Sequence, residues 1–136
     1  MQVTVYHEGR LLFRAGARGH HSWVDQSFAL GGQDSGMTPT EWLLSALGSG
    51  MGIAAVQYLE EHGMVTEGLQ LSLRTDSQDS TLLVTNQISV HVVLEAVLNQ
   101  PQRLELKQAV ESCELFQILK RSPQVMTEIL SPLSKS

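Results

Sequence analysis

Only one sulfur nucleophile is present in the 136 residues, Cys113. A thiol attacks a peroxide or another electrophile as its thiolate, which calls for exposure and a positive charge nearby. Lys107, Lys120 and Arg121 are the cations closest to it in sequence. The competing reading is a core position, because a free cysteine packs as a small hydrophobe. A single cysteine forms no intrachain disulfide and cannot build a zinc site of several thiolates. The histidines do not converge either. His20 and His21 are adjacent, so on a strand they point to opposite faces, while His7, His62 and His91 stand alone. No metal and no other cofactor is expected.

The most distinctive segment is residues 31–63, GGQDSGMTPTEWLLSALGSGMGIAAVQYLEEHG. Thr38 suits the N-cap of a helix, Pro39 its first position, and Glu41 completes a Thr-x-x-Glu capping box. Gly63 suits the position past the end. The spacing predicts a helix over 39–62, about 36 Å long at about 1.5 Å per residue. Its middle is apolar or small on nearly every side, the pattern of a helix buried all round. One domain of this size can hardly wrap it, so a pair of such helices lying against each other is expected. Gly48, Gly50 and Gly52 each cost about 1 kcal/mol relative to alanine inside a helix. Close approach of two helices would offset this, with Ser45, Ala46 and Ser49 extending the small surface; a kink or an open pocket is the alternative. The GSGMG run lacks the preceding strand and the spacing of a phosphate-binding loop.

Around this helix the pattern is that of short strands. Residues 2–30 contain three, the second over 10–15 and the third over 22–28, with a turn at Gly9, and residues 31–36 form a loop. Leu69, Leu71 and Leu73 alternate with polar residues as a half-buried strand. A turn follows at 76–80, then a long strand within 82–98. Pro101 opens a second helix that runs toward Cys113, a shorter helix covers 114–120, a last strand covers 125–130, and the tail is loose. The fold class is α+β, an antiparallel sheet packed on a long central helix plus a second helix, in a single domain over 1–136.

Composition narrows the function classes. Hydrophobic residues make up 42% and charged residues 17%, as in globular chains. The net charge is -5, and the nine lysines and arginines are scattered. That argues against a nucleic acid or a membrane as partner. The N-terminus lacks the pattern of a signal peptide, and the apolar stretch 42–56 is too short and too rich in glycine and serine for a membrane span. With its lone thiol, the chain is expected to be cytoplasmic.

The order Gly-Gly-x-x-x-Gly-x-x-Pro-x-Glu-x-Leu-x-x-Ala-Leu-Gly in residues 31–48 resembles the OsmC/Ohr family, the osmotically inducible and organic hydroperoxide resistance proteins. GHHSWVD at 19–25 resembles the strand that leads into this loop in the OsmC-like branch. LKQAVESCELFQILKRSPQV at 106–125 resembles the family's second cysteine helix, with Cys113 at the cysteine. The resemblance implies an intertwined homodimer with active sites at the subunit interface and, for intact members, thiol-dependent reduction of organic hydroperoxides. There a first cysteine attacks the peroxide and becomes a sulfenic acid, which a second cysteine resolves as a disulfide. An arginine and a glutamate hold the first thiol reactive.

Carried onto this chain, Cys113 matches the resolving cysteine and Glu41 the glutamate. Arg10 is favoured for the arginine, with Arg14 and Arg18 in the same region. Gly50 stands where the family has its attacking cysteine, and Gly50 and Met51 would line the substrate position. Three readings stay open. The first is a degenerate member that keeps a small-molecule pocket at the dimer interface for an apolar or hydroperoxide-like ligand. The second is a one-cysteine peroxidase or redox protein using Cys113. The third is a non-catalytic dimer that binds a protein partner.

Overall fold

The structure, a computed structural model, describes residues 1–76 and 87–132. Five strands and three helices follow in the order β1 (Thr4–Gly9), β2 (Leu12–Ala17), β3 (His20–Val24), α1 (Pro39–Glu61), β4 (Gln70–Thr75), β5 (Ile88–Val93), α2 (Gln100–Glu111) and α3 (Glu114–Arg121). The architecture is α+β, and all strand pairing is antiparallel, with β1-β2-β3 in one sheet and β4-β5 in another. A turn at Arg18 and Gly19, both at positive φ, joins β2 to β3, as a two-residue hairpin with right-twisted strands requires.

The third strand ends at Val24, earlier than the alternation of residues suggests, because the next residue redirects the chain. Asp25 is buried. Its carboxylate accepts the backbone N–H groups of Gln26 at 2.7 Å, Ser35 at 3.2 Å and Gln33 at 3.3 Å. Those bonds fold residues 26–36 into a compact loop that includes a 3-10 turn, Phe28–Leu30. Two glycines make the loop possible. A Cβ on Gly32 would overlap the backbone of Gln26, and one on Gly36 would meet the Trp23 carbonyl oxygen at 2.5 Å.

The long helix begins as its capping box dictates. Thr38 Oγ1 accepts from Glu41 N–H at 3.2 Å, and the Glu41 carboxylate accepts from Thr38 N–H at 2.9 Å. One side of α1, carrying Leu47, Met51, Ala55, Tyr58 and Leu59, closes against Leu106 and Val110 of α2 to form the buried core. The other contacts of the helix come from α3 and β4. The rest of its surface is open, with Leu43 44% and Ile53 61% exposed. By length and mean hydropathy, 1.3 over eighteen residues, α1 could also cross a bilayer; here its core side lies under α2.

The three glycines of α1 do not form one surface. Gly48 and Gly52 face β4, where a Cβ would meet Leu73 Cδ1 at 2.7 Å and Leu71 Cδ1 at 3.4 Å. Gly50 faces α3 instead. Within the protomer the first two are therefore explained by the close approach of a strand rather than of a second helix.

The sheet of β1 to β3 meets α1 through the helix entrance. Val24 pairs with Met37, Asp25 N–H donates to the Met37 carbonyl at 3.3 Å, and Trp42 Nε1–H donates to the Trp23 carbonyl at 3.1 Å. Asn99 and Gln102 form a second capping box, so α2 starts at Gln100, one residue before the proline that marks it in the sequence. The expected strand at 125–130 is absent: this stretch is irregular and pairs with no described strand. Its apolar residues fall as neighbours, Val125 with Met126 and Ile129 with Leu130, rather than in the alternation a strand needs, and all four are exposed. The expected turn at 76–80 lies outside the described residues beyond Asp76, as does the part of the long strand before residue 87.

The loop clamp has a pH signature. Burial alone pushes the Asp25 carboxyl upward, but the N–H groups of Ser35, Gln26 and Gln33 and the Ser35 hydroxyl outweigh it and hold the group below its ordinary 3.8. A depressed folded-state value means the clamp contributes fully above about pH 3.8 and fades as pH falls through the lower folded value. Urea unfolding should show Asp25→Asn less stable than the natural chain at pH 7, with the gap narrowing below about pH 3.8. A gap independent of pH would contradict the clamp.

Candidate functional site

Cys113 sits at the break between α2 and α3. Ser112 ends the first of these helices, and Cys113 becomes the N-cap of the second, with φ -64° and ψ 151°. Its Sγ accepts the Phe116 N–H at 3.4 Å. The residue is half-buried, so both sequence readings survive in part: the sulfur packs beside the core and still meets solvent. Two of the cations near it in sequence are engaged with other groups. Lys107 lies 3.9 Å from Glu111, and Lys120 lies over the Phe116 ring at 5.6 Å from its centre.

Across from this sulfur lies Gly50. A Cβ built on Gly50 would stand 3.5 Å from Cys113 Sγ and 3.6 Å from Leu115 Cβ, ordinary van der Waals distances. The space between α1 and α3 therefore admits a side chain at position 50, aimed at the thiol. Met51, the next residue, is turned away into the core at 3% exposure. Thus the fold brings together Gly50 and Cys113, far apart in sequence.

Glu41 and Arg10 do not join them within the protomer. Glu41 is in the first turn of α1, and nine residues of helix, about 13.5 Å of rise, separate it from Gly50. Its carboxylate is spent on the cap and faces the open groove along α1, whose other walls include Leu44, Gly48, Ile53 and Leu71. Arg10 occupies the β1–β2 turn at φ 47° and donates from Nη2 to the Gly31 carbonyl at 2.8 Å. It braces the loop that precedes α1. Arg14 is bonded to Glu8 at 3.0 Å and to His21 at 3.0 Å and stacks over Tyr6. No group of three or more histidine, cysteine or acidic residues able to hold a metal occurs among the described residues.

Sequence reasoning missed two participants. Asp25 stands inside the GHHSWVD segment, and its place just ahead of a glycine-rich loop is the signal for its clamping role. Leu115 forms a wall of the space at Gly50, and no local pattern marks it.

The family model described as OsmC-like protein matches residues 32–128 of the chain. No curated protein sequence matches it. Among solved structures, an osmotic stress induced and detoxification response protein from Psychrobacter arcticus aligns with a TM-score of 0.75 at 13% identity, covering 86% of each chain. An OsmC-like protein from Mycoplasma pneumoniae aligns with a TM-score of 0.72 at 14% identity, covering 88% of this chain and 86% of that one. An organic hydroperoxide resistance protein OsmC from Legionella pneumophila aligns with a TM-score of 0.58 at 13% identity, covering 88% of each. At these identities the likeness is one of fold.

The geometry at position 50 predicts a cross-link. Gly50→Cys should form a disulfide with Cys113 under mild oxidation, read as loss of both free thiols in intact-mass and alkylation analysis. Closing a loop of roughly 60 residues should raise the stability of the oxidised variant over its reduced form by up to about 4 kcal/mol. Two thiols that remain free to alkylation after oxidation would contradict the facing arrangement.

Proposed function

The chain belongs to the OsmC-like protein family, and on that premise we propose that it is a hydroperoxide-reductase scaffold whose two-cysteine cycle is broken at Gly50. In that cycle a thiolate attacks the outer peroxide oxygen of ROOH. The alcohol ROH leaves once protonated, and the attacking sulfur becomes a sulfenic acid. The second thiol displaces water from that sulfur, and an external dithiol reduces the resulting disulfide. The first two steps need a sulfur at position 50, and glycine supplies none. The observation that carries the reading is the direction of the missing side chain: a Cβ on Gly50 would lie 3.5 Å from Cys113 Sγ. The second thiol of the cycle thus has its partner's place beside it, without the partner.

The working unit we propose is a cytoplasmic homodimer. Several large apolar groups are exposed and available to a second copy: Leu43 and Ile53 on the open side of α1, Val5 and Trp23 of the first sheet, and Val125, Met126, Ile129 and Leu130. The interface would then retain a small-molecule pocket at which an apolar or hydroperoxide-like ligand binds without being turned over.

Two measurements test this. The natural chain, assayed with tert-butyl hydroperoxide and dithiothreitol or dihydrolipoamide, should show no consumption beyond that of a Cys113→Ser variant. Cys113-dependent turnover would overturn the broken cycle in favour of one-cysteine chemistry. Sedimentation equilibrium should return twice the 15.0 kDa chain mass, and a monomer at micromolar concentration would refute the dimer.

A further inference from the structure

A second cavity lies between β5 and the helices. Strand β5 hydrogen-bonds to β4, and its Ile88 and Val90 pack against the core that Leu106 and Val110 of α2 help to form. Between its inner face and the helices is an open space of about 660 Å³, within the range of sites that hold small organic ligands. Val90, Val92, Met51, Leu106, Val110 and Phe116 give it an apolar lining. The α2 side supplies charge. Arg103 and Lys107, one helical turn apart, border the cavity together with Glu111. Lys107 shares Glu111 at 3.9 Å. The Arg103 guanidinium has no ion-pair or hydrogen-bond partner among the described residues.

We propose that this cavity binds a free single-chain carboxylate, a fatty acid, with its chain along β5 and its head group on Arg103 and Lys107. Apart from Arg103, Lys107 and Glu111, all on α2, the lining is apolar, as an amphiphile with one charged end requires. The choice of an anionic head follows from charge complementarity. In a chain of net charge -5, this α2 face puts an unpaired guanidinium beside an apolar space. Such a planar group matches a carboxylate through two parallel hydrogen bonds. The cavity borders the Gly50–Cys113 contact, since Met51 follows Gly50 and the Phe116 N–H bonds to Cys113 Sγ, but the proposed binding does not depend on the broken cycle.

Titration calorimetry of the full-length protein against dodecanoate, dodecanol and dodecyltrimethylammonium tests the proposal. Dodecanoate should bind once per protomer and more tightly than either of the others. The double substitution Arg103→Gln, Lys107→Gln, at exposed positions of α2, should weaken dodecanoate about ten-fold or more and leave dodecanol unchanged. Val92→Trp, which fills the cavity, should abolish binding; if it unfolds the protein, the α2 substitutions alone decide. Equal affinity for acid and alcohol, or dodecanoate binding indifferent to the α2 substitutions, would overturn the proposal. Association with anionic lipid vesicles without binding of free dodecanoate would also overturn it.

Discussion

A 23-residue helix that is apolar on nearly every side must be covered by something, and that requirement organises the whole molecule. The chain covers one side itself. Leu47, Met51, Ala55 and Leu59 press on α2, and glycines at 48 and 52 let Leu73 and Leu71 of β4 come down onto the helix backbone. Each of those glycines costs about 1 kcal/mol of helix propensity, which packing must offset. The other side of α1 is left to the groove that begins at Glu41. A second copy of the chain is the economical cover, since it would bury the same kind of surface on both partners.

The entrance to α1 is held as firmly as its side. Asp25 gathers three backbone N–H groups, Arg10 reaches over to the Gly31 carbonyl, and Trp42 bonds back to Trp23. These bonds tie the first sheet to the helix start while leaving that sheet's own faces largely free of α1. A rigid entrance fixes the rotation of the helix about its axis. That rotation decides that Gly48 looks at β4 while Gly50 looks at Cys113.

Local signals are legible where local physics decides. Thr38, Pro39 and Glu41 mark the start of α1, and the alternation from Leu69 to Leu73 marks β4. The beginning of α2 lies one residue ahead of its proline because the Asn99–Gln102 box, not the ring, sets the boundary. The end of β3 depends on Asp25 bonding to residues up to ten positions away, which no window of alternation reports. The residues at 125–130 are apolar enough for a strand, but their paired spacing lacks period two, and the spacing decides. The site is legible only through the resemblance. Nothing local says that Gly50 faces Cys113, since that contact depends on how α3 docks on α1. Arg10, singled out by its Gly-Arg turn, donates within its own protomer to the Gly31 carbonyl.

On the proposed reading, the chemistry of the molecule turns on one missing side chain. The fold supplies a half-buried thiol, a neighbouring position that admits a side chain, and a carboxylate at the head of the same helix. On that reading, a sulfur restored at position 50 would reopen the covalent route, whose loss costs orders of magnitude in rate. The direct measurement is steady-state consumption of tert-butyl hydroperoxide by Gly50→Cys with dihydrolipoamide as reductant. The account predicts turnover orders of magnitude above the natural chain, and a sharp fall when Cys113→Ser is added to that variant. A variant that forms the disulfide yet consumes no more peroxide than the natural chain would contradict it.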